Sequence, residues 1–304
     1  MGLHRQNSAT ACPRRMGVKM KAAGVFGVAA LCCASWCRQN AAPGQSANNF
    51  SEWLDTAGMT VETRIRVPRG FERVPIADGS FAAHLRRLPL KPHGSPVRLY
   101  NGLVKENRGV YDAVVDLKIG TRDLHQCADA IIRLRAEYLF RERQFTKIHF
   151  NFSNGFRADY AEWRKGKRII VRGHTADWVQ SGSPGDHAVD FWNYLEMVFS
   201  YAGTRSLAEE LAPAGMADLR IGDIFIQGGS PGHAVIVVDL AVHHQSGERI
   251  FLLAQSYMPA QEIHVLRNPN DRKRSPWYAA NFGDVLTTPE WVFRKSDVKR
   301  FAGP

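Results

Sequence analysis

Residues 222–240, GDIFIQGGSPGHAVIVVDL, hold two apolar runs parted by a loop of glycine, serine and proline. Short apolar runs bounded by such turn residues are the pattern of strands buried on both faces. Ile221 to Ile226 reads as one strand, Gly228 to Gly232 as a tight loop, and Ala234 to Leu240 as a second strand. A third, Phe251 to Ser256, follows closely enough to pair with it antiparallel. The loop delivers His233 to the mouth of the second strand, and Gln255 and Ser256 end the third.

Upstream, Leu124, Cys127, Ile131, Leu134 and Tyr138 recur at helical spacing. Asp123, with Gln126 three residues later, has the form of a capping box for that helix. Ala188, Phe191, Trp192, Leu195, Val198 and Phe199 mark a second amphipathic helix. Ser206 and Glu209 cap a short third one that Pro213 stops. Residues 61–74 alternate polar and apolar, which predicts an early strand with a Pro-Arg-Gly turn. Residues 110–119, 145–152 and 167–172 read as further strands, and Phe81 to Leu90 as a short extended or helical piece. The fold class expected is α+β: a helix carrying the cysteine packed on an antiparallel sheet, with N-terminal strand additions.

Residues 51–304 are expected to form a single globular domain, since no boundary is visible after residue 50. Residues 38–50, RQNAAPGQSANNF, have linker composition. Residues 1–37 read as a signal peptide, with Arg14, Arg15, Lys19 and Lys21 before the apolar stretch Ala22 to Trp36. The protein is then exported to the periplasm or cell envelope. Lipidation of Cys32, Cys33 or Cys37, anchoring the chain to a membrane, is an open alternative.

The composition, 44% hydrophobic and 23% charged, is that of a globular chain, and its formal net charge is +11. Residues 1–37 contain five basic and no acidic residues, so the remainder carries 11 − 5 = +6. That excess suits anionic lipids or wall polymers. No zinc-ligand spacing and no nucleic-acid motif appears, so neither a metal, a cofactor nor a nucleic-acid partner is expected. A metal site of His233, His243, His244 and His264 is the weaker alternative, because His243-His244 beside Gln245-Ser246-Gly247 reads as a hairpin tip.

Without residues 1–37, Cys127 is the one cysteine left. A thiol in the opening turn of a helix meets unpaired N–H groups and the positive end of the helix dipole, which favour the nucleophilic thiolate. His233 can take its proton, and Gln255 can orient the imidazole. The alternative is a structural thiol packed with Leu124, Ile131 and Leu134 in an envelope protein that only binds. Tryptophans 163, 178, 192, 277 and 291 are then candidates to line its groove. His187 competes with His233, since GSPGDHAV at 182–189 echoes GSPGHAV at 229–235.

The joint pattern resembles the papain-like cysteine peptidase fold and the exported NlpC-type wall endopeptidases. The resemblance rests on Cys127 opening a helix, Gly222-Asp223 opening a strand, His233-Ala234-Val235, and Gln255-Ser256-Tyr257, in that order. It implies a cysteine hydrolase, an amidase or endopeptidase, acting on wall peptides or another envelope substrate by acyl transfer to water. Cys127, His233 and Gln255 would be catalytic. Gln126 and Ser256 are the candidates for oxyanion stabilisation or support. Over its length from the linker onward the chain also resembles an uncharacterised bacterial family, domain of unknown function 4846. The stretches RDLHQCADAIIRLRAEYL (122–139), FWNYLEMVFSYAGTRSL (191–207), IGDIFIQGGSPGHAVIVVD (221–239) and LLAQSYMPAQEIHVL (252–266) carry that likeness.

Overall fold

The computed structural model describes residues 52–303. The expected signal peptide, the linker and cysteines 12, 32, 33 and 37 lie outside the described residues. In chain order the elements are α1 (Val61–Arg64), β1 (Phe71–Arg73), α2 (Phe81–Arg86), β2 (Tyr111–Val114), α3 (Cys127–Arg141), β3 (His149–Asn151) and β4 (Arg157–Asp159). Then come α4 (Tyr160–Arg164), β5 (Lys167–Arg172), β6 (Thr175–Gln180), α5 (Ala188–Tyr201) and α6 (Thr204–Glu210). The rest is β: β7 (Ala212–Pro213), β8 (Ile224–Gln227), β9 (His233–His243), β10 (Arg249–Gln255), β11 (His264–Leu266) and β12 (Tyr278–Ala279). β13 (Val285–Thr287), β14 (Val292–Arg294) and β15 (Val298–Arg300) complete it.

The main sheet runs β2-β11-β10-β9-β8-β15-β7, with β1 added to β9 and β12 to β10. Its ladders are antiparallel. The fold is thus α+β with antiparallel sheets, as expected. β9 lies at its centre and is long because nearly every residue in it is apolar and buried. Ala234, Ile236 and Val238 pack with Ala128, Ile131 and Leu134 of α3 in the larger core. Val235, Val237 and Leu240 pack on the other face with Leu286, Phe293 and Val298. Burying each large aliphatic side chain contributes about 1.5–3 kcal/mol, so this one strand anchors both layers.

A bulge interrupts β9 where Leu252 opposes Asp239 and Leu253 opposes Val237. The extra residue resets the alternation. Asp239 therefore faces α2 and α1, where the guanidinium Nε atoms of Arg86 and Arg73 each reach it at 2.7 Å. At Gly232, a Cβ would run into Thr204 Oγ1 and the Gly229 carbonyl. Only glycine lets the loop approach α6 so closely just before His233.

Several local expectations change. Residues 61–74 are not one strand: Val61–Arg64 is helical, because the Thr60 side chain accepts from Thr63 N and Thr63 Oγ1 accepts from Thr60 N. Only Phe71–Arg73 extends, after the turn closed by Phe71 N to Pro68 O. Asp123 does not cap α3. Its carboxylate takes Ala260 N at 2.7 Å and Gln126 Nε2 at 3.2 Å, and Gln126 stands at the N-cap instead. Strand 110–119 shortens to Tyr111–Val114, and 145–152 to His149–Asn151, whereas Lys167–Arg172 keeps its bounds.

Candidate active site

Cys127 is the first residue of α3 and is 8% exposed. The leading N–H groups of a helix have no partner within it. Here the N–H of Cys127 and that of Ala128 turn to the sulfur, and the N–H of Ala234 on β9 joins them. Val237 exchanges its backbone bonds with the β8 side, through Asp223 O and Gly222 N. Ala234, three residues earlier, consequently turns its N–H the other way, toward β10. The β9–β10 register ends at Ala254 and Ile236.

Burial pushes the Cys127 thiol up to about 11, and Asp129 adds to the rise against the pull of the three N–H groups. The preformed thiolate expected from the helix start is thus overruled by desolvation. Asp129 is itself buried, and burial raises its carboxyl well above the usual range. Its Oδ2 accepts from Gln126 N at 3.0 Å, and its Oδ1 has no partner.

His233 opens β9 and is 2% exposed. Its Nε2 lies 2.8 Å from Gln255 Oε1, at the end of neighbouring β10. Its ring meets Tyr257 edge-on at 4.9 Å and lies near Trp291 and Phe293. Phe293 belongs to the cluster on the sheet face away from α3. The imidazole therefore sits on that side, while the thiol enters at the end of the sheet. Among the described residues no hydrogen bond joins Cys127 to His233. Tyr257 neighbours both: its phenol is raised by burial first, then by Glu290 and Cys127. Burial lowers His233 to about 4, and the charge of Lys105 works the same way.

Behind His233 lies a polar chain that sequence reasoning missed. Gln255 Nε2 donates to Glu290 Oε2 at 2.8 Å and lies 3.4 Å from His264 Nε2. Lys105 Nζ pairs with Glu290 Oε1 at 2.7 Å. His264 Nδ1 is 2.9 Å from the Glu262 carbonyl. Lys105 and Glu290 are 185 residues apart in sequence, and no spacing rule links them. His264 was visible only as a metal candidate.

Of the remaining candidates, Gln126 gives its amide to Asp123. The Ser256 hydroxyl lies 2.8 Å from His125 O and 2.7 Å from Gln261 O, so it ties the α3 entry to the loop after β10. His187 stands exposed before α5 and is not part of the cluster. Trp277 and Trp163 are buried in the core rather than lining a groove. His233 and His243 bound opposite ends of β9, about 30 Å apart at strand rise. Among the described residues no group of three His, Cys, Asp or Glu is placed to hold a metal, and no helix is long and apolar enough to cross a membrane.

A family model described as a domain of unknown function (4846) matches residues 61–300. No curated protein and no solved structure matches the chain.

Proposed function

The chain belongs to the family of the domain of unknown function 4846, and from that premise we propose that it is a cysteine hydrolase of the cell envelope built on a papain-like core. The observation that carries this reading is the His233–Gln255 bond at 2.8 Å, one residue from the Ala234 N–H that holds the Cys127 sulfur. In this reading the resting pair is uncharged, a thiol beside a neutral imidazole. His233 Nδ1 takes the thiol proton as Cys127 Sγ attacks an amide or ester carbonyl. The imidazolium returns that proton to the leaving amine or alcohol. Water then attacks the thioester with His233 again as base, releasing the acid and the thiol. Gln255 Oε1 accepts the Nε2 proton throughout and keeps the ring oriented. The N–H groups of Cys127, Ala128 and Ala234 are the donors at hand for the oxyanion. Peptide stems or cross-links of the wall are the substrates that suit an exported basic protein. Its place is the periplasm or envelope, with N-terminal lipid anchoring the alternative form.

One observation favours a second reading, a binding protein with a structural cysteine: the thiol is buried and pushed up to about 11. Acylation by a p-nitrophenyl ester separates the two. The hydrolase reading expects a burst of p-nitrophenol with one acyl group on Cys127, slowed about 10²- to 10⁴-fold in His233→Gln, the range of a lost general base. Equal acylation rates in both proteins, or none until unfolding, would leave the binding protein.

A further inference from the structure

The polar chain behind His233 has a direction, and that direction reaches the ring. Glu290 is a carboxylate paired with Lys105, so it can only accept. The atom of Gln255 that faces Glu290 Oε2 at 2.8 Å must therefore be the amide nitrogen. The second proton of that nitrogen points at His264 Nε2, 3.4 Å away. His264 accepts there because its other nitrogen, Nδ1, faces the Glu262 carbonyl at 2.9 Å and must carry the proton. Two acceptors thus hold the Gln255 amide in one orientation. Its oxygen is left for His233 Nε2 at 2.8 Å. An oxygen there requires Nε2 to be the protonated nitrogen, and the lone pair falls on Nδ1. Among the described residues Nδ1 has no hydrogen-bond partner. A flipped amide would set Gln255 oxygen against Glu290 oxygen and force the opposite tautomer on His233.

We propose that Glu290, held in place by Lys105, is a positioning residue that selects the His233 tautomer through the Gln255 amide, keeping Nδ1 as the free base. The role in catalysis rests on the hydrolase reading above, but the tautomer itself does not. Neither Lys105 nor Glu290 touches the thiol. Glu290 acts from two hydrogen bonds away from the ring, and Lys105 from three. The setting suits such a relay: Gln255 is 1% exposed, and the Lys105 and Glu290 side chains are 8% and 14% exposed. Water has little room to supply substitute donors or acceptors, so an amide orientation set at Glu290 is passed on rather than averaged. Burial also keeps His233 neutral at pH 7, since it lowers the ring to about 4, and only a neutral ring has a tautomer to select.

The test is side-chain nitrogen NMR of protein labelled with ¹⁵N-histidine at pH 7.5, with His233 assigned by the His233→Gln variant. The wild type should show one neutral form, proton on Nε2 and Nδ1 unprotonated. In Glu290→Gln, whose amide can accept or donate, the Nδ1-protonated form should rise at least several-fold. Glu290→Asp, which keeps an acceptor-only carboxylate, should hold the wild-type tautomer and so serves as the rescue. If Glu290→Gln does not fold, Glu290→Leu gives a second route, since it removes the acceptor that holds the Gln255 amide. Proton on Nδ1 in the wild type, or the same tautomer in wild type, Glu290→Gln and Glu290→Leu, would overturn the proposal. The p-nitrophenyl ester assay reads the hydrolase separately: a locked tautomer without Cys127 acylation sinks the catalytic reading and leaves the relay standing.

Discussion

β9 carries one buried polar centre at its start and another at its middle, and the two are built differently. At Asp239 the carboxylate is fully enclosed, and its oxygens meet Arg73 Nε, Arg86 Nε and the Leu240 N–H. Both carboxylate oxygens there are met by donors from within the fold. At His233 the chain of partners runs Lys105, Glu290, Gln255 and the ring, and it stops with Nδ1 unused. Closed networks hold a structure together, because breaking them strands a buried charge. A network with one free acceptor at its end can take a proton from something else. The same depth of burial thus serves cohesion at the middle of the strand and reactivity at its start.

The comparison breaks most readily at the closed centre. Asp239→Ala leaves two guanidiniums without their partner and should cost about 3–5 kcal/mol of stability, read as a lower urea midpoint. Labelling of Cys127 in the protein that remains folded should not change. An equal effect on both would mean the two centres are one network.

Acid should act through the buried histidines, of which His233 and His264 belong to the open centre. His125 and His264 are lowered by burial to about 3, and His233 and His84 to about 4. The unfolded rings take up protons near 6.5, while the native rings do not. Their stabilising contribution is therefore present above pH 6.5 and is lost as pH falls toward 3 to 4. Each histidine contributes a slope of about 1.4 kcal/mol per pH unit in that window. Urea midpoints between pH 7 and 4.5 should show it, and His264→Phe should flatten the slope by one proton.

The thiol gives the next effect. With Cys127 raised from 9.0 to about 11, its thiolate fraction at pH 8 is about a hundredfold below that of the unfolded chain. Iodoacetamide labelling of the folded protein should rise about tenfold per pH unit up to pH 10 without levelling. A plateau near pH 8 would show a thiolate stabilised by its surroundings and would place the imidazole nearer the sulfur. The smallest effect is that of Ser256→Ala. It removes the hydroxyl between His125 O and Gln261 O and should cost about 1 kcal/mol, with the His233 tautomer unchanged.

The strands that meet at the site were legible because their apolar runs are unbroken and their loops are rich in glycine and proline. The same signals placed Cys127 at a helix start and His233 and Gln255 at neighbouring strand ends. The helix at Val61–Arg64 was not legible, because alternation over 61–74 mimics a strand and the Thr60–Thr63 cap overrides it locally. Side-chain direction was beyond reach too. Whether His233 faces α3 or the opposite layer depends on strand parity, and a single bulge changes parity for every residue after it. Lys105 and Glu290 are ordinary charged residues in sequence. Only the folded chain makes them neighbours.

β15, the latest strand in the described chain, does not lie at the rim of the sheet. It is inserted between β8 and β7, with Val298 opposite Phe225 and Arg300 opposite Ala212, and Arg300 clamps Asp223. Assembly therefore cannot proceed in step with synthesis. Until residues 298–300 have emerged, β8 presents a bare backbone edge beside the loop that carries His233. Closing that gap waits on a contact of long sequence separation, the slowest kind to form. A nascent chain or a truncation ending before Val298 would expose an adhesive strip to its neighbours, so the tail acts as the final rivet of the fold.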